Sequence, residues 1–95
     1  MFVVTVIFEV QANQVEAFRI AMEAQAKNSL EKEEACRQFD VCYAAGKAEA
    51  CFLYEKYDSQ ADFDAHKATD HFKEFDAAVA PMLVSKSVQT WTCQE

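Results

Sequence analysis

The opening segment, Phe2, Val3, Val4, Thr5, Val6, Ile7 and Phe8 on to Val10, is β-branched and aromatic with no breaker, and it predicts a strand. Both alternating sets are apolar: Phe2, Val4, Val6 and Phe8 face one way, Val3, Thr5 and Ile7 the other. The spacing of Val15, Phe18, Met22, Ala26 and Ser29 or Leu30 then predicts a helix with one buried stripe. Asn13, with Glu16 three residues on, is its expected cap. The helix is expected to run to about Glu34, with Glu31, Lys32, Glu33 and Glu34 as its solvated end. Residues 38–44 and 50–57 read as two strands joined by a loop of about four to six residues around Gly46 and Lys47. Ser59 opens a capping box with Asp62 for a short helix to about Ala68. Thr69 or Asp70 caps another, carrying Phe72, Phe75, Val79 and Met82 or Leu83 at helical spacing, and Pro81 closes it. Residues 84–93 alternate as a last strand, with Val88 and Trp91 as its larger apolar groups.

This order is the split β-α-β, ferredoxin-like arrangement: an α+β fold with an antiparallel sheet and helices on one face. Length changes the picture. The chain has 95 residues, one domain's worth, and it cannot supply helical layers on both faces of a sheet. The two-sided opening strand is therefore expected to bury its second face against another copy of the chain, as a homodimer through the sheet face.

Composition narrows the function. Hydrophobic residues make up 52% and aromatics 13%, as in a packed globule. A single glycine, Gly46, excludes the Gly-rich loops that cradle nucleotide phosphates. Sixteen acidic against nine basic residues leave a charge of −7, which disfavours nucleic acid and anionic membrane surfaces as partners. No apolar run approaches membrane-spanning length. The first basic residue is Arg19, so no charged leader precedes the apolar start, and a cytoplasmic location is expected. Cys36, Cys42, Cys51 and Cys93 show no Cys-x-x-Cys spacing and read as reduced thiols.

Candidate chemistry gathers on Glu55 and His66. Glu55 interrupts the apolar run Cys51-Phe52-Leu53-Tyr54-Glu55-Lys56-Tyr57, where a carboxylate needs a partner or a raised pKa. His66, on the next helix, is the expected partner, and such a pair in an apolar site suits proton abstraction. The same pair could equally be a structural staple between helix and sheet. His66 and His71 are five residues apart, about 140° around a helix, and the cap at Thr69 divides them, so no metal site is expected. The face of Glu55 stays open. A register that sets Cys42 against Cys51 places Phe39, Val41, Phe52 and Tyr54 on one face and Glu55 on the other. A slip of one residue sets Glu55 beside Phe39 and Leu53.

Three stretches together resemble the antibiotic biosynthesis monooxygenase (ABM) domain family over nearly the whole chain. They are Glu33-Glu34-Ala35-Cys36-Arg37-Gln38-Phe39-Asp40-Val41, Phe52-Leu53-Tyr54-Glu55-Lys56-Tyr57, and Ala65-His66-Lys67-Ala68-Thr69-Asp70-His71-Phe72. The branch most similar holds quinol-type monooxygenases and the autoinducer-degrading isomerase. The resemblance implies a dimeric α/β barrel with a cavity between sheet and helices. It implies oxidation of anthrone- or quinol-like aromatics without flavin or metal, or isomerisation of small sugar-like ketones. On matching positions, Glu55 and His66 become the catalytic pair. Phe39, Tyr54, His71 and Phe72 become cavity residues, with Asn28 and Ser29 as polar groups near the helix end. Asn28 or His71 would hydrogen-bond a developing oxyanion. Two departures stand out. Many relatives carry Glu-Pro-Gly-Cys where this chain has Glu33-Glu34-Ala35-Cys36. Trp91 lacks the Asn–Trp–His set of the haem-degrading branch, so haem is not implied. A non-catalytic dimeric module that binds a small molecule is the competing reading, since fold alone does not fix function.

Overall fold

A computed structural model describes residues 1–94. Four strands form one antiparallel sheet: β1 (Phe2–Val10), β2 (Cys36–Ala44), β3 (Lys47–Tyr57) and β4 (Leu83–Thr92), in the order β2-β3-β1-β4. Helices α1 (Val15–Lys32), α2 (Gln60–Lys67) and α3 (Asp70–Val79) cover one face. This is the ferredoxin-like α+β arrangement that the order of elements predicts. Every β1 side chain from Val4 to Val10 that points to the helices is buried: Val4, Val6, Phe8 and Val10. They meet Phe18 and Met22 of α1, and the Phe8 and Phe18 rings pack edge-on at 5.2 Å.

The register settles the face of Glu55. Phe39 faces Glu55, Val41 faces Leu53 and Tyr43 faces Cys51 across β2 and β3, while Val4 faces Glu55 across β1 and β3. Glu55 thus points toward the helices, between Val4 and Phe39. Cys42 faces Phe52 on the opposite side and is exposed, whereas Cys51 is buried. The two thiols stand on different faces and cannot pair; all four cysteines are free.

Several boundaries differ from the sequence expectation. Asn13 makes no cap: residues 12–14 form a 3-10 turn, and α1 begins at Val15 without a side-chain cap. The buried stripe of α1 is Phe18, Met22, Gln25 and Ser29, while Leu30 is exposed, because the face turns with the true helical period. The hairpin loop is only the two residues Ala45 and Gly46. Gly46 takes φ 77°, which few other residues adopt, and the extra residues of β3 are absorbed in a register shift next to Tyr43. Ser59 and Thr69 cap α2 and α3 as expected, each accepting a backbone N–H three residues on. Pro81 lies in a 3-10 turn after α3 rather than at its end.

The outer face of the sheet carries Ile7, Phe52 and Trp91, all exposed, while Val3 beside Trp91 is buried. No described helix is long and apolar enough to cross a membrane.

Candidate active site

A cavity of about 320 Å³ opens between the sheet and the helices. Its walls are mainly apolar: Val6, Phe8 and Leu53 from the sheet, Met22 from α1, and Phe63, Phe72 and Phe75 from α2 and α3. Phe39 and Phe72 line it as expected, and Glu55 and His66 bring its ionisable chemistry.

His66 is 2% exposed and sits among the rings of Phe39, Tyr57, Phe63 and Phe72 at centroid distances of 5.1–6.3 Å. Its hydrogen-bond partner is Glu33, not Glu55. Nδ1 lies 2.8 and 3.0 Å from the two Glu33 carboxylate oxygens. A carboxylate can only accept, so Nδ1 carries the proton and donates, which leaves Nε2 with its lone pair free. Nε2 is 4.0 Å from Glu55 Oε1, beyond hydrogen-bond reach. Glu55 instead accepts from the Tyr57 hydroxyl at 2.6 Å. The expected Glu55–His66 pair is therefore two proton-handling groups facing across a gap.

Glu33 is the residue that sequence reasoning missed. The sequence pattern places it in the solvated charge run, but α1 stops at Lys32 and Glu33 takes the extended cap position. Its side chain folds back under α2 and α3 and is 13% exposed. The same carboxylate lies 2.8 Å from His71 Nε2, off the line of a good hydrogen bond. One carboxylate thus joins histidines on two helices. Thr69 sets their relation: its hydroxyl donates to His66 O at 2.7 Å and accepts from Phe72 N–H at the start of α3. The available signal was the place of Glu33 at the head of Glu33-Glu34-Ala35-Cys36, part of one of the three stretches that carry the family resemblance.

Three further expectations are corrected. Tyr54 points to the outer face, beside Val3, Thr5 and Trp91, because Glu55 takes the inward position. Asn28 and His71 do not line the cavity; they border a shallow groove between α1 and α3, together with Glu74. Neither reaches a cavity oxyanion. Ser29 is fully buried, donates to Gln25 O at 2.8 Å, and is likewise outside the cavity. Gln25, not singled out from sequence, does line it and accepts from His71 Nδ1 at 3.2 Å.

The electrostatics follow burial. Desolvation pushes the Glu55 carboxyl up to about 7, against the Tyr57 hydrogen bond that favours its charged form. Desolvation also raises Glu33, with His71 opposing. Burial among rings pushes His66 down to about 4, so its imidazole is neutral near pH 7. The Tyr57 hydroxyl is raised far above its ordinary range by burial and by Glu55, and it remains a donor. Desolvation lifts the Cys36 thiol to about 11, which makes it a poor nucleophile. Among the described residues, no three His, Cys, Asp or Glu side chains are grouped to hold a metal ion.

In this ferredoxin-like domain a neutral, carboxylate-held histidine lines an apolar cavity, an arrangement with the chemistry to take up a proton. The chain belongs to the antibiotic biosynthesis monooxygenase family, whose sequence profile matches residues 1–78. It is similar to a solved Nitrosomonas europaea protein provisionally named an antibiotic biosynthesis monooxygenase. That pair is 26% identical over 100% of both chains, with a TM-score of 0.94. A Caulobacter crescentus protein with the same provisional name shares the fold at 20% identity and TM-score 0.94, covering 99% of this chain and 90% of that one. Rv0793 from Mycobacterium tuberculosis shares it at 22% and 0.91, covering 99% and 95%. No curated protein gives a significant match.

Proposed function

We propose that the protein is a cofactor-independent monooxygenase acting on a small quinol- or anthrone-like aromatic. The observation that carries this reading is the Glu33–His66 arrangement, which aims an unprotonated imidazole nitrogen into an apolar cavity. Substrate would lie between Phe39 and Phe72, with its acidic C–H or O–H toward Nε2. His66 takes that proton, and Glu33 stabilises the imidazolium and fixes its orientation. The electron-rich anion combines with O2 at carbon and recovers the proton from His66, giving a hydroperoxide. Loss of the remaining C–H proton to His66 breaks the O–O bond and forms the carbonyl, and the departing hydroxide takes that proton as water. The balance is one CH2 (or ring C–H) and O2 to one carbonyl and water. The dry, apolar lining supports this chemistry, because a delocalised anion loses little on leaving water.

A second reading has its own support. Glu55 and His66 Nε2 face each other at 4.0 Å, and Glu55 with a pKa of about 7 can give as well as take a proton. Such a pair suits moving a proton between adjacent carbons of a hydroxyketone, an isomerisation without O2.

Oxygen uptake during a screen of quinols and hydroxyketones, without added metal or flavin, separates the two. Turnover with stoichiometric O2 loss supports the monooxygenase, and turnover without O2 loss supports the isomerase. His66→Ala is expected to lower either activity by roughly 10²–10⁴-fold. Unchanged turnover in this variant would remove His66 from the mechanism.

A further inference from the structure

We propose that the cavity is built for a substrate that carries an anionic group, held at the rim by Lys86 and Lys67 while the reacting ring or ketone points to His66. This rests on reading the cavity as a substrate site. The chain carries a charge of −7, yet the charged side chains lining this cavity are two lysines and one glutamate. Even with that glutamate, Glu55, ionised, the two lysines leave the lining net positive, against the sign of the whole molecule.

The lysines are also placed. Lys86 is the sole charged residue of β4, and it takes an inward position in line with Val88 and Thr90. A lysine serving solubility alone would sit as well at the outward Ser85 or Ser87. Its ammonium is 5.6 Å from the Phe8 ring centroid and 5.9 Å from that of Phe72. The Lys67 ammonium is 4.7 Å from the Phe63 ring centroid. Phe63 and Phe72 are both ring neighbours of His66, at 6.0 and 5.1 Å, so both cations sit on aromatic walls next to the base. Their present partners, Asp76 at 3.4 Å and Asp64 at 3.6 Å, are exposed and outside the lining. Such pairs contribute little, and an incoming carboxylate or phosphate competes with them readily. A volume of about 320 Å³ is at the small end of ligand sites, which suits one or two rings.

Calorimetric titration tests this with three probes at pH 7.5: hydroquinone, its carboxylate 2,5-dihydroxybenzoate, and 4-hydroxyphenyl phosphate. The two anions distinguish a carboxylate from a phosphate preference. At least one is expected to bind about tenfold more tightly than hydroquinone, the scale of one charge-assisted hydrogen bond. That preference should weaken with added salt, shrink in Lys86→Met and vanish in the Lys67→Met, Lys86→Met double variant, where the anions bind no more tightly than hydroquinone binds to the same variant. Equal affinity for neutral and anionic probes, no binding of any probe, or a preference that survives the double substitution would overturn the proposal. Oxygen uptake is scored separately: an anion preference without uptake keeps the rim and removes the monooxygenase, and uptake without a preference does the reverse.

Discussion

Glu55 shows how a single buried acid shapes both stability and chemistry. Its carboxyl titrates near 7 in the folded chain and near 4.5 when free. Between those values the folded state holds a proton that the unfolded state has released, so this group's contribution to stability falls as pH rises from 4.5 to 7. The full loss is about 3 kcal/mol. His66 works oppositely. Folded near 4 and ordinarily 6.5, it makes stability rise with pH across that window. The two slopes nearly cancel between 4.5 and 6.5 in the native chain. Glu55→Gln keeps an acceptor for Tyr57 and removes one slope. Urea unfolding should show it gaining on wild type by about 3 kcal/mol between pH 4.5 and 8. A constant difference across that range would mean that Glu55 is not held protonated by burial.

At the scale of elements, the hairpin and the end of α1 position the site. Gly46 sits in the left-handed region with open space around it, so Gly46→Ala meets no clash and only backbone strain. It should cost about 1 kcal/mol by urea unfolding, and a neutral result would contradict the assigned turn. Strand identities, the capped α2 and α3 and the ferredoxin-like order were legible because each has a local cause: β-branched runs, Ser59, Thr69 and helical spacing. Glu55 and His66 were legible as candidate chemistry because an ionisable group in an apolar run needs a partner, whereas Phe39 and Phe72 entered as cavity residues through the family resemblance alone. The pairing within the site was not. A register slip of one residue decides whether Tyr54 or Glu55 faces inward, and no local signal fixes it. Glu33 hid inside a charge run, since only the position at which α1 stops turns its side chain inward. Gln25 hid because Ala26 fits the same apolar stripe when the period is taken loosely.

At the scale of the whole molecule, the outer sheet face leaves large apolar side chains exposed. Ile7 is 56% exposed, Trp91 50% and Phe52 39%, all on the face without helices. Burying these against a second copy satisfies the apolar pattern of β1, and a homodimer is the assembly we propose. Sedimentation should give a dimer at micromolar concentration. Ile7→Glu with Phe52→Glu should give a monomer, because two charges per protomer would be buried unpaired. A native chain that sediments as a monomer would remove this part of the account.

The proposed chemistry turns on which His66 nitrogen holds the proton, and nitrogen-detected NMR of the labelled imidazole reads this directly. A neutral ring from pH 5 to 8, protonated at Nδ1 and bare at Nε2, with that preference lost in Glu33→Ala, is the expected result. A ring protonated at Nε2, or one charged at pH 7, would leave the cavity without its base and contradict the proposed chemistry.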